Sequence, residues 1–150
     1  MRLRNAEQSD LAAVENLLAS NDLPLEGVRE NFSRFVVAEE DGSIVGAIGL
    51  EVFDSAALLR SAVVSSAERG GGIGRQLVQR ILELAERSGV DEVYLLTTTA
   101  EEYFPRFGFR RTSRGAVPEA VKTSAEFRGG CPDTAVVMER RIAAAAKSIT

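Results

Sequence analysis

The sequence predicts a single α+β domain, and three observations support this prediction. The chain has 150 residues, and a chain of this size buries about 70% of its unfolded surface, enough for a self-sufficient core. The composition is 45% hydrophobic and 27% charged, which is typical of a globular protein and excludes a wholly disordered or fibrous chain. Segments with strand periodicity and segments with helical periodicity follow one another without a composition shift or an internal repeat.

The first half of the chain is predicted to contain four strands, at residues 1–6, 35–40, 43–53 and 56–65. After the first strand, Ser9 or Asp10 caps a predicted helix that ends at Asn21. A second helix is predicted to begin at Pro24, because proline suits the first turn, and to end near Phe32.

The second half changes to a helical period at Gly74. Apolar residues then recur every three or four positions until Ser88-Gly89 ends the predicted helix. The elements predicted after it are a strand at 93–97, a short helix at 100–107, an irregular segment at 109–132 and a last strand at 134–138. We expect residues 1–142 to form the domain and residues 143–150 to form a flexible C-terminal tail.

The residue types that the chain lacks restrict its chemistry. There is no histidine and a single cysteine, Cys131, which excludes an internal disulfide, a Cys/His zinc site and any Ser-His-Asp or Cys-His triad. A net charge of −4 and a pI near 5.0 argue against nucleic acid as a partner. No apolar run is long enough for a membrane span or a signal peptide, so we expect a cytoplasmic protein without a membrane partner.

A glycine-rich turn between a predicted strand and a predicted helix indicates a site for an anion. Residues 67–74 read Ala-Glu-Arg-Gly-Gly-Gly-Ile-Gly. Glycines let a ligand approach the backbone, and the N-terminus of the helix offers its amides. A Walker P-loop requires Lys-Ser/Thr where Arg75-Gln76 stands, and the dinucleotide fingerprint requires Gly or Ala where Leu77 stands, so both are excluded.

The spacing Arg69-x-x-Gly72-x-Gly74 resembles the coenzyme-binding motif of the GNAT superfamily of acyl-CoA-dependent N-acetyltransferases. A second stretch, from Thr97 to Gly108-Phe109, resembles the family motif that ends in Gly-Phe, and the resemblance covers residues 1–140. It implies a GNAT-like α+β fold, with a mixed, mostly antiparallel central sheet of roughly six to seven strands flanked by about four helices.

The resemblance further implies acetyl-CoA as the coenzyme and direct transfer of its acetyl group to an amine. The implied coenzyme-binding residues are Ala62, Val63, Val64, Arg69, Gly70, Gly71, Gly72, Ile73, Gly74 and Arg75. In such a site the strand pairs with the pantetheine, the loop amides bind the pyrophosphate, and a backbone amide near Val64 stabilises the oxyanion. Neither a metal nor a histidine is required.

Tyr103 and Glu51 are the candidates for proton transfer. In many relatives a tyrosine four residues before the glycine of Gly-Phe protonates the leaving thiolate, but Phe104 occupies that position here. Tyr103 lies one residue earlier, about 100° away around a helix. It therefore either acts as the general acid or packs in the protein while solvent supplies the proton. Glu51 interrupts an apolar strand and either serves as the general base, directly or through water, or faces solvent.

Arg60 lies in an apolar strand beside the implied pantetheine site, where an unpaired charge is costly. Its partner is either Glu51 or a substrate carboxylate, held by two parallel hydrogen bonds. The hydroxyls that end the next strand, and are candidates to line the acceptor pocket, are Thr97, Thr98 and Thr99. We interpret Cys131 as an unreactive thiol, because no histidine activates it.

Within the superfamily, residues 95–109 together with Val117-Pro118 and Cys131-Pro132 resemble the arsenic-resistance N-acetyltransferases, a branch related to the acetyltransferase domain of N-acetylglutamate synthase. This resemblance suggests a small-molecule amine acceptor that is an amino acid or a toxic analogue of one. The alternatives are a non-catalytic acyl-CoA-binding regulatory module and a protein N-acetyltransferase. Whether the chain forms a homodimer stays open.

Overall fold

A mixed sheet of seven strands is the centre of the computed structural model, which describes residues 1–130 and 134–142. The strands are β1 (Arg2–Asn5), β2 (Phe35–Glu40), β3 (Ser43–Phe53), β4 (Ala56–Val64), β5 (Glu92–Thr97), β6 (Arg110–Thr112) and β7 (Val136–Arg141). Their order in the sheet is β1-β2-β3-β4-β5-β7-β6. Only the pair of β4 and β5 is parallel among the described strands. The predicted mixed, mostly antiparallel sheet is confirmed.

In the described part of the chain two α-helices accompany the sheet, and both follow the predicted apolar periodicity. α1 (Leu11–Ala19) buries Leu11, Val14 and Leu18, which lie on one face of the helix. α2 (Ile73–Arg87) buries six residues at the same kind of spacing and ends where the Ser88 hydroxyl donates to the Leu84 carbonyl at 2.8 Å. These two helices begin and end within two residues of the expected positions.

The expectation of about four helices is wrong, because two predicted helices are replaced by turns. Residues 26–31 form successive turns that lead into a 3₁₀ helix (Phe32–Arg34), and Gly27 among them has φ +85°, which no right-handed helix accommodates. Residues 100–107 form a turn followed by a 3₁₀ helix (Phe104–Phe107), since Pro105 has no N–H for an α-helical hydrogen bond. None of the described helices is long and apolar enough to cross a membrane.

The two faces of the sheet are covered by different parts of the chain. On one face, α2 joins a buried cluster that includes Ile48, Leu59 and Leu77. On the opposite face, α1 packs over Val63, and residues 114–127 pack over Leu58. The sheet therefore separates the layer that holds α2 from the layer that holds α1 and the irregular segment.

A bulge interrupts β4 at its centre. Ser61 and Ala62 both lie opposite Ile48 of β3, so β4 contains one extra residue. Ser61 has φ +59°, a left-handed conformation that costs a residue with a side chain about 1–2 kcal/mol. The extra residue resets the alternation of side chains, because Leu59 before the bulge and Val64 after it both pack on the α2 face.

The neighbouring strands β4 and β5 separate shortly after they have paired. Their register covers Ala56–Leu58 of β4 and Glu92–Tyr94 of β5, yet β4 continues to Val64 and β5 to Thr97. Beyond the paired residues, each strand presents its edge to a gap within the sheet. Backbone groups along such edges need partners, so the gap is the natural place for a ligand that pairs like a strand.

Candidate functional site

A cavity of about 1010 Å³ opens where β4 and β5 separate. Its walls come from the second half of β4, the loop that follows it, the first turn of α2 and the residues at the end of β5. The residues predicted to bind the coenzyme all line it, namely Ala62, Val63, Val64, Arg69, Gly70, Gly71, Gly72, Ile73, Gly74 and Arg75. The structure therefore brings together the strand edge and the glycine loop.

The glycine loop is shaped to receive an anion at its backbone. Gly70 and Gly72 have φ +90° and +86°, and Gly72 is the N-cap of α2. The first amides of a helix have no partner within the helix, and the first turn of α2 lines the cavity. A Cβ on Gly70 would meet no heavy atom within 4 Å, and one on Gly71 would meet only the Glu68 carbonyl at 3.5 Å. The loop thus has open space beside its backbone, which fits a coenzyme pyrophosphate.

Arg69 links this loop to the segment that follows α1. Its Nη2 donates to Asn21 Oδ1 at 2.5 Å and its Nε donates to the Val64 carbonyl at 3.2 Å. Asn21 and the neighbouring residues through Pro24 also line the cavity. The loop that fits the coenzyme and the segment on the other side of the cavity are therefore held in contact.

Tyr103 lines the cavity and points its hydroxyl toward the start of α2. A Cβ on Gly74 would lie 3.2 Å from the Tyr103 Oη, so the glycine leaves room for this hydroxyl. Burial raises the pKa of Tyr103 above its ordinary value, against the opposing influence of Arg106 and Arg75. The phenol keeps its proton at neutral pH and is able to donate it, while Phe104 is buried in the core. Its role as general acid stays a prediction.

A buried ion pair lies beside the cavity. The Arg60 side chain is 0% exposed, and its Nη1 donates to Glu51 Oε2 at 2.7 Å. The same carboxylate oxygen accepts the Ser124 hydroxyl at 3.0 Å. Gly27 makes room for the pair, because a Cβ there would lie 2.6 Å from Arg60 Nη1. Of the two partners predicted for Arg60, the structure contains Glu51.

Glu126 is a second buried carboxylate of this cluster, and sequence reasoning missed it. Its Oε2 lies 3.5 Å from Arg60 Nε, its side chain is 5% exposed, and it lines the cavity, which Glu51 does not. Burial raises the pKa of Glu126 to about 7, helped by the negative charges of Glu51 and Glu26 and opposed by Arg60. No motif marks this residue, which lies in the segment predicted only as irregular.

The acceptor side of the cavity contains the predicted hydroxyls. Thr97, Thr98 and Thr99 all line the cavity at the end of β5, and Thr97 Oγ1 accepts the Ala100 amide at 2.9 Å. Arg106 also lines the cavity, with its guanidinium 4.7 Å above the centre of the Tyr103 ring. Cys131 and the predicted tail at 143–150 lie outside the described residues.

Comparison with a family model identifies the same architecture. Residues 31–111 match the model described as the acetyltransferase (GNAT) domain, which is more than half of the chain. The match includes β2 through β5, the glycine loop, α2 and the start of β6.

Individual relatives are similar over most of the chain. An amino-acid acetyltransferase of Neisseria meningitidis is 29% identical over 136 residues, which are 85% of this chain and 31% of that protein. This chain thus spans about a third of that relative's length. Rv2747 from Mycobacterium tuberculosis, solved in complex with CoA and NLQ, is 26% identical with a TM-score of 0.82 and covers 95% of this chain and 100% of that chain.

A further similarity concerns the fold alone. N-acetylglutamate synthase from Neisseria gonorrhoeae, solved in complex with coenzyme A and N-acetyl-glutamate, has a TM-score of 0.81 and 23% identity. The similarity covers 95% of this chain and 35% of that chain.

Proposed function

Because the chain belongs to the GNAT acetyltransferase family and is an N-acetyltransferase, we propose that it transfers the acetyl group of acetyl-CoA to the amine of a small, amino-acid-like acceptor. The observation that carries this proposal is the gap between β4 and β5, which adjoins both the glycine loop and a polar pocket. Further support comes from the Neisseria meningitidis relative, whose name states that it acetylates amino acids.

On the coenzyme side, backbone groups of Val63 and Val64 pair with the pantetheine, and the amides of residues 70–74 bind the pyrophosphate. The bound thioester supplies an acetyl group that is already activated. A β4 amide at the gap stabilises the oxyanion that forms on the acetyl oxygen. The remaining tasks of the protein are to orient the amine, exclude water and move protons.

On the acceptor side, we assign the carboxylate of the amino acid to Arg106 rather than to Arg60. Both arginines line the cavity, but Arg60 is buried and already enclosed by two carboxylates, Glu51 and Glu126, whereas the Arg106 guanidinium is exposed. The three threonine hydroxyls offer further hydrogen bonds there. The resemblance to the arsenic-resistance branch suggests a toxic amino-acid analogue as the acceptor. This role stays a prediction, and such analogues should be included among the acceptors that are tested.

The test is to measure release of the CoA thiol from acetyl-CoA with matched acceptors: amino acids, the amines that lack the carboxylate, and short peptides. We expect turnover with at least one amino acid and weaker turnover with its decarboxylated amine. Preference for peptides would instead support the protein N-acetyltransferase. Acetyl-CoA binding without release from any acceptor would contradict the proposal and favour a binding module.

Substitution of Arg106 tests the acceptor side more directly. Losing a hydrogen bond to a charged group costs about 1.5–3 kcal/mol, so we expect Arg106→Gln to lower kcat/KM for amino acids by roughly ten- to hundredfold. The decarboxylated amine should lose much less, because for this acceptor the substitution acts only through the contact of Arg106 with the Tyr103 ring. Arg110→Gln is the matched control, because Arg110 pairs with Glu139 and does not line the cavity. Equal losses for both acceptors would contradict the assignment.

A further inference from the structure

Among the described residues, the buried cluster beside the cavity contains more carboxyl groups than cations. Two carboxylates, Glu51 and Glu126, face one guanidinium, that of Arg60. The shorter contact, 2.7 Å, goes to Glu51, which also accepts the Ser124 hydroxyl. Glu126 is held less tightly, at 3.5 Å from Arg60 Nε. Among the residues that the structure describes here, the two carboxylates share this one cation, so the ionised form of Glu126 is costly unless a further cation arrives.

The position of Glu126 indicates where that cation would come from. Glu126 lines the cavity, whereas Glu51 lies behind it and is held by Arg60 and Ser124. An amino acid at neutral pH carries an ammonium group that must lose a proton before its nitrogen can attack. A carboxylate on the cavity wall is suited both to bind that group and to accept its proton.

We propose that Glu126 binds the ammonium group of the acceptor and accepts its proton, so that the base is Glu126 and not Glu51. This inference rests on the proposed function. The charged groups that face Glu126 are Arg60 from β4, Glu51 from β3 and Glu26 from the segment after α1. Arg60 is a positioning residue, since its guanidinium lies 3.5 Å from the Glu126 carboxylate, and Glu51 acts on Glu126 only through its negative charge.

The proton balance of the step is complete with groups that the protein and substrates contain. One ammonium proton passes to the Glu126 carboxylate, and the freed lone pair forms the N–C bond at the acetyl carbonyl, whose π pair moves to oxygen. When the oxyanion collapses, the C–S bond breaks and the electron pair leaves with sulfur. The nitrogen loses its second proton to solvent. The thiolate gains a proton either from Tyr103, which then regains one from solvent, or directly from solvent. Glu126 then releases its proton to solvent.

The electrostatics of the site support this role. A base works best when its pKa lies near the working pH, and burial raises the pKa of Glu126 to about 7. Close to neutral pH a fraction of the protein therefore carries the ionised carboxylate, and that carboxylate is basic enough to remove a proton. Arrival of the ammonium group lowers the pKa of Glu126 again, because a cation favours the charged form.

The first experiment follows Glu126 without any turnover. The carboxyl carbons of the intact protein are titrated by ¹³C NMR, and the signal that Glu126→Gln removes is assigned to Glu126. We expect it to titrate well above the ordinary range for glutamate. Addition of CoA with a non-reacting mixture of amino acids should move this titration to lower pH. A signal that titrates normally, or that no amino acid moves, would overturn the proposal.

The second experiment uses the pH dependence of kcat/KM. General base catalysis contributes about 10²–10⁴-fold, so we expect Glu126→Gln to lower kcat/KM at neutral pH at least hundredfold and to remove the acidic limb near pH 7. Acetyl-CoA affinity should not change. In Glu51→Gln, Glu126 becomes the one carboxylate paired with Arg60, and the negative charge of Glu51 is removed. Both changes lower the pKa of Glu126, so the acidic limb should move to lower pH. Glu119→Gln, at an exposed residue paired with Lys122, is the matched control.

The outcomes separate this inference from the proposed function. If the wild-type protein acetylates no amino acid, the proposed function fails, whatever the NMR titration shows. If the wild-type protein is active and Glu126→Gln keeps its rate and its acidic limb, the proposed function survives and Glu126 is only a structural partner of Arg60. A rate loss without a change of pH profile in either glutamine variant would likewise reject the proton transfer.

Discussion

Strands β4 and β5 hydrogen-bond to each other over their first halves, here called the paired half, and diverge over their second halves, here called the separated half. The two halves differ in what their backbone groups contact. In the paired half, Ala57 and Leu58 are 0% exposed, and the backbones of the two strands hydrogen-bond to each other. In the separated half, Ser61–Val64 and the residues that end β5 line a cavity. The paired half satisfies its polar groups internally, and the separated half offers them to a ligand.

The difference between the two halves shows how two strands of the central sheet can also form a binding site. Apolar residues are common to both halves, so hydrophobicity does not distinguish them. The bulge at Ser61 and Ala62 turns β4 away from a regular ladder, and the polar Thr97 ends β5 on the other side. We therefore expect substitutions of buried residues in the paired half to act on stability, and substitutions at the cavity in the separated half to act on binding. Substitutions can test each half by itself.

The largest effect is expected from Gly72→Val in the separated half. Gly72 has φ +86° at the N-cap of α2, and valine would both strain this backbone and fill the space of the anion. We expect calorimetry to detect no acetyl-CoA binding. Gly89→Val is the matched control, since Gly89 has φ +79° beyond the other end of α2 and has open space around it. Unchanged affinity in a folded Gly72→Val protein would refute the coenzyme site.

In the paired half, Leu58→Ala should act on stability and not on binding. Leu58 is 0% exposed, and removing such a side chain costs about 2–5 kcal/mol of unfolding free energy. Urea unfolding measures this loss, and acetyl-CoA affinity should be kept under conditions where the variant is folded. Leu25→Ala, at a 38% exposed leucine, should change little. Loss of coenzyme affinity in folded Leu58→Ala would show that the two halves are not independent.

Tyr103→Phe tests whether the hydroxyl at the cavity of the separated half takes part in proton transfer. If the hydroxyl protonates the thiolate, turnover should fall by about 100-fold or more, and acetyl-CoA affinity should stay the same. Tyr94→Phe is a matched control, because the Tyr94 hydroxyl donates to Glu92 at 2.6 Å in the paired half. A loss below about tenfold would assign the proton to solvent and leave Tyr103 a packing role.

The smallest effect is a pH dependence of stability. Since burial raises the pKa of Glu126 from 4.5 to about 7, the folded protein holds this proton more tightly than the unfolded chain. The resulting stabilisation is present below pH 4.5 and is lost as the pH rises to about 7. The melting temperature of Glu126→Gln relative to wild type should therefore rise between pH 5 and pH 8. If the difference in melting temperature between Glu126→Gln and wild type stays constant or falls, burial does not disfavour the ionised form of Glu126.

Local patterns predicted most of this structure correctly. The helical spacing of Ile73, Leu77 and Ile81 defined α2, and the contiguous glycine motif identified the loop in front of it. β6 was not predicted, because its sequence Arg-Arg-Thr is too short to alternate. The predicted helix at 24–32 fails because Gly27 adopts a left-handed conformation beside Arg60, a requirement of packing that periodicity does not reveal.

The candidate site was predictable only where its residues are neighbours in sequence. The coenzyme loop is one continuous segment, and all of its predicted residues line the cavity. The partner of Arg60 could be narrowed to two alternatives, since Glu51 lies on the adjacent strand. Glu126 comes from a distant irregular segment, and only the folded chain brings it to 3.5 Å from Arg60.

The bulge in β4 also constrains how this chain can change its length. Because Leu59 and Val64 face the same side only through the extra residue, deleting one residue at 61 or 62 would rotate every later side chain of the strand to the opposite side. The glycine loop that follows β4 would then no longer be oriented toward the layer that holds α2. Substitutions at these two positions are therefore expected to be far better tolerated than any insertion or deletion of a single residue between Arg60 and Val64.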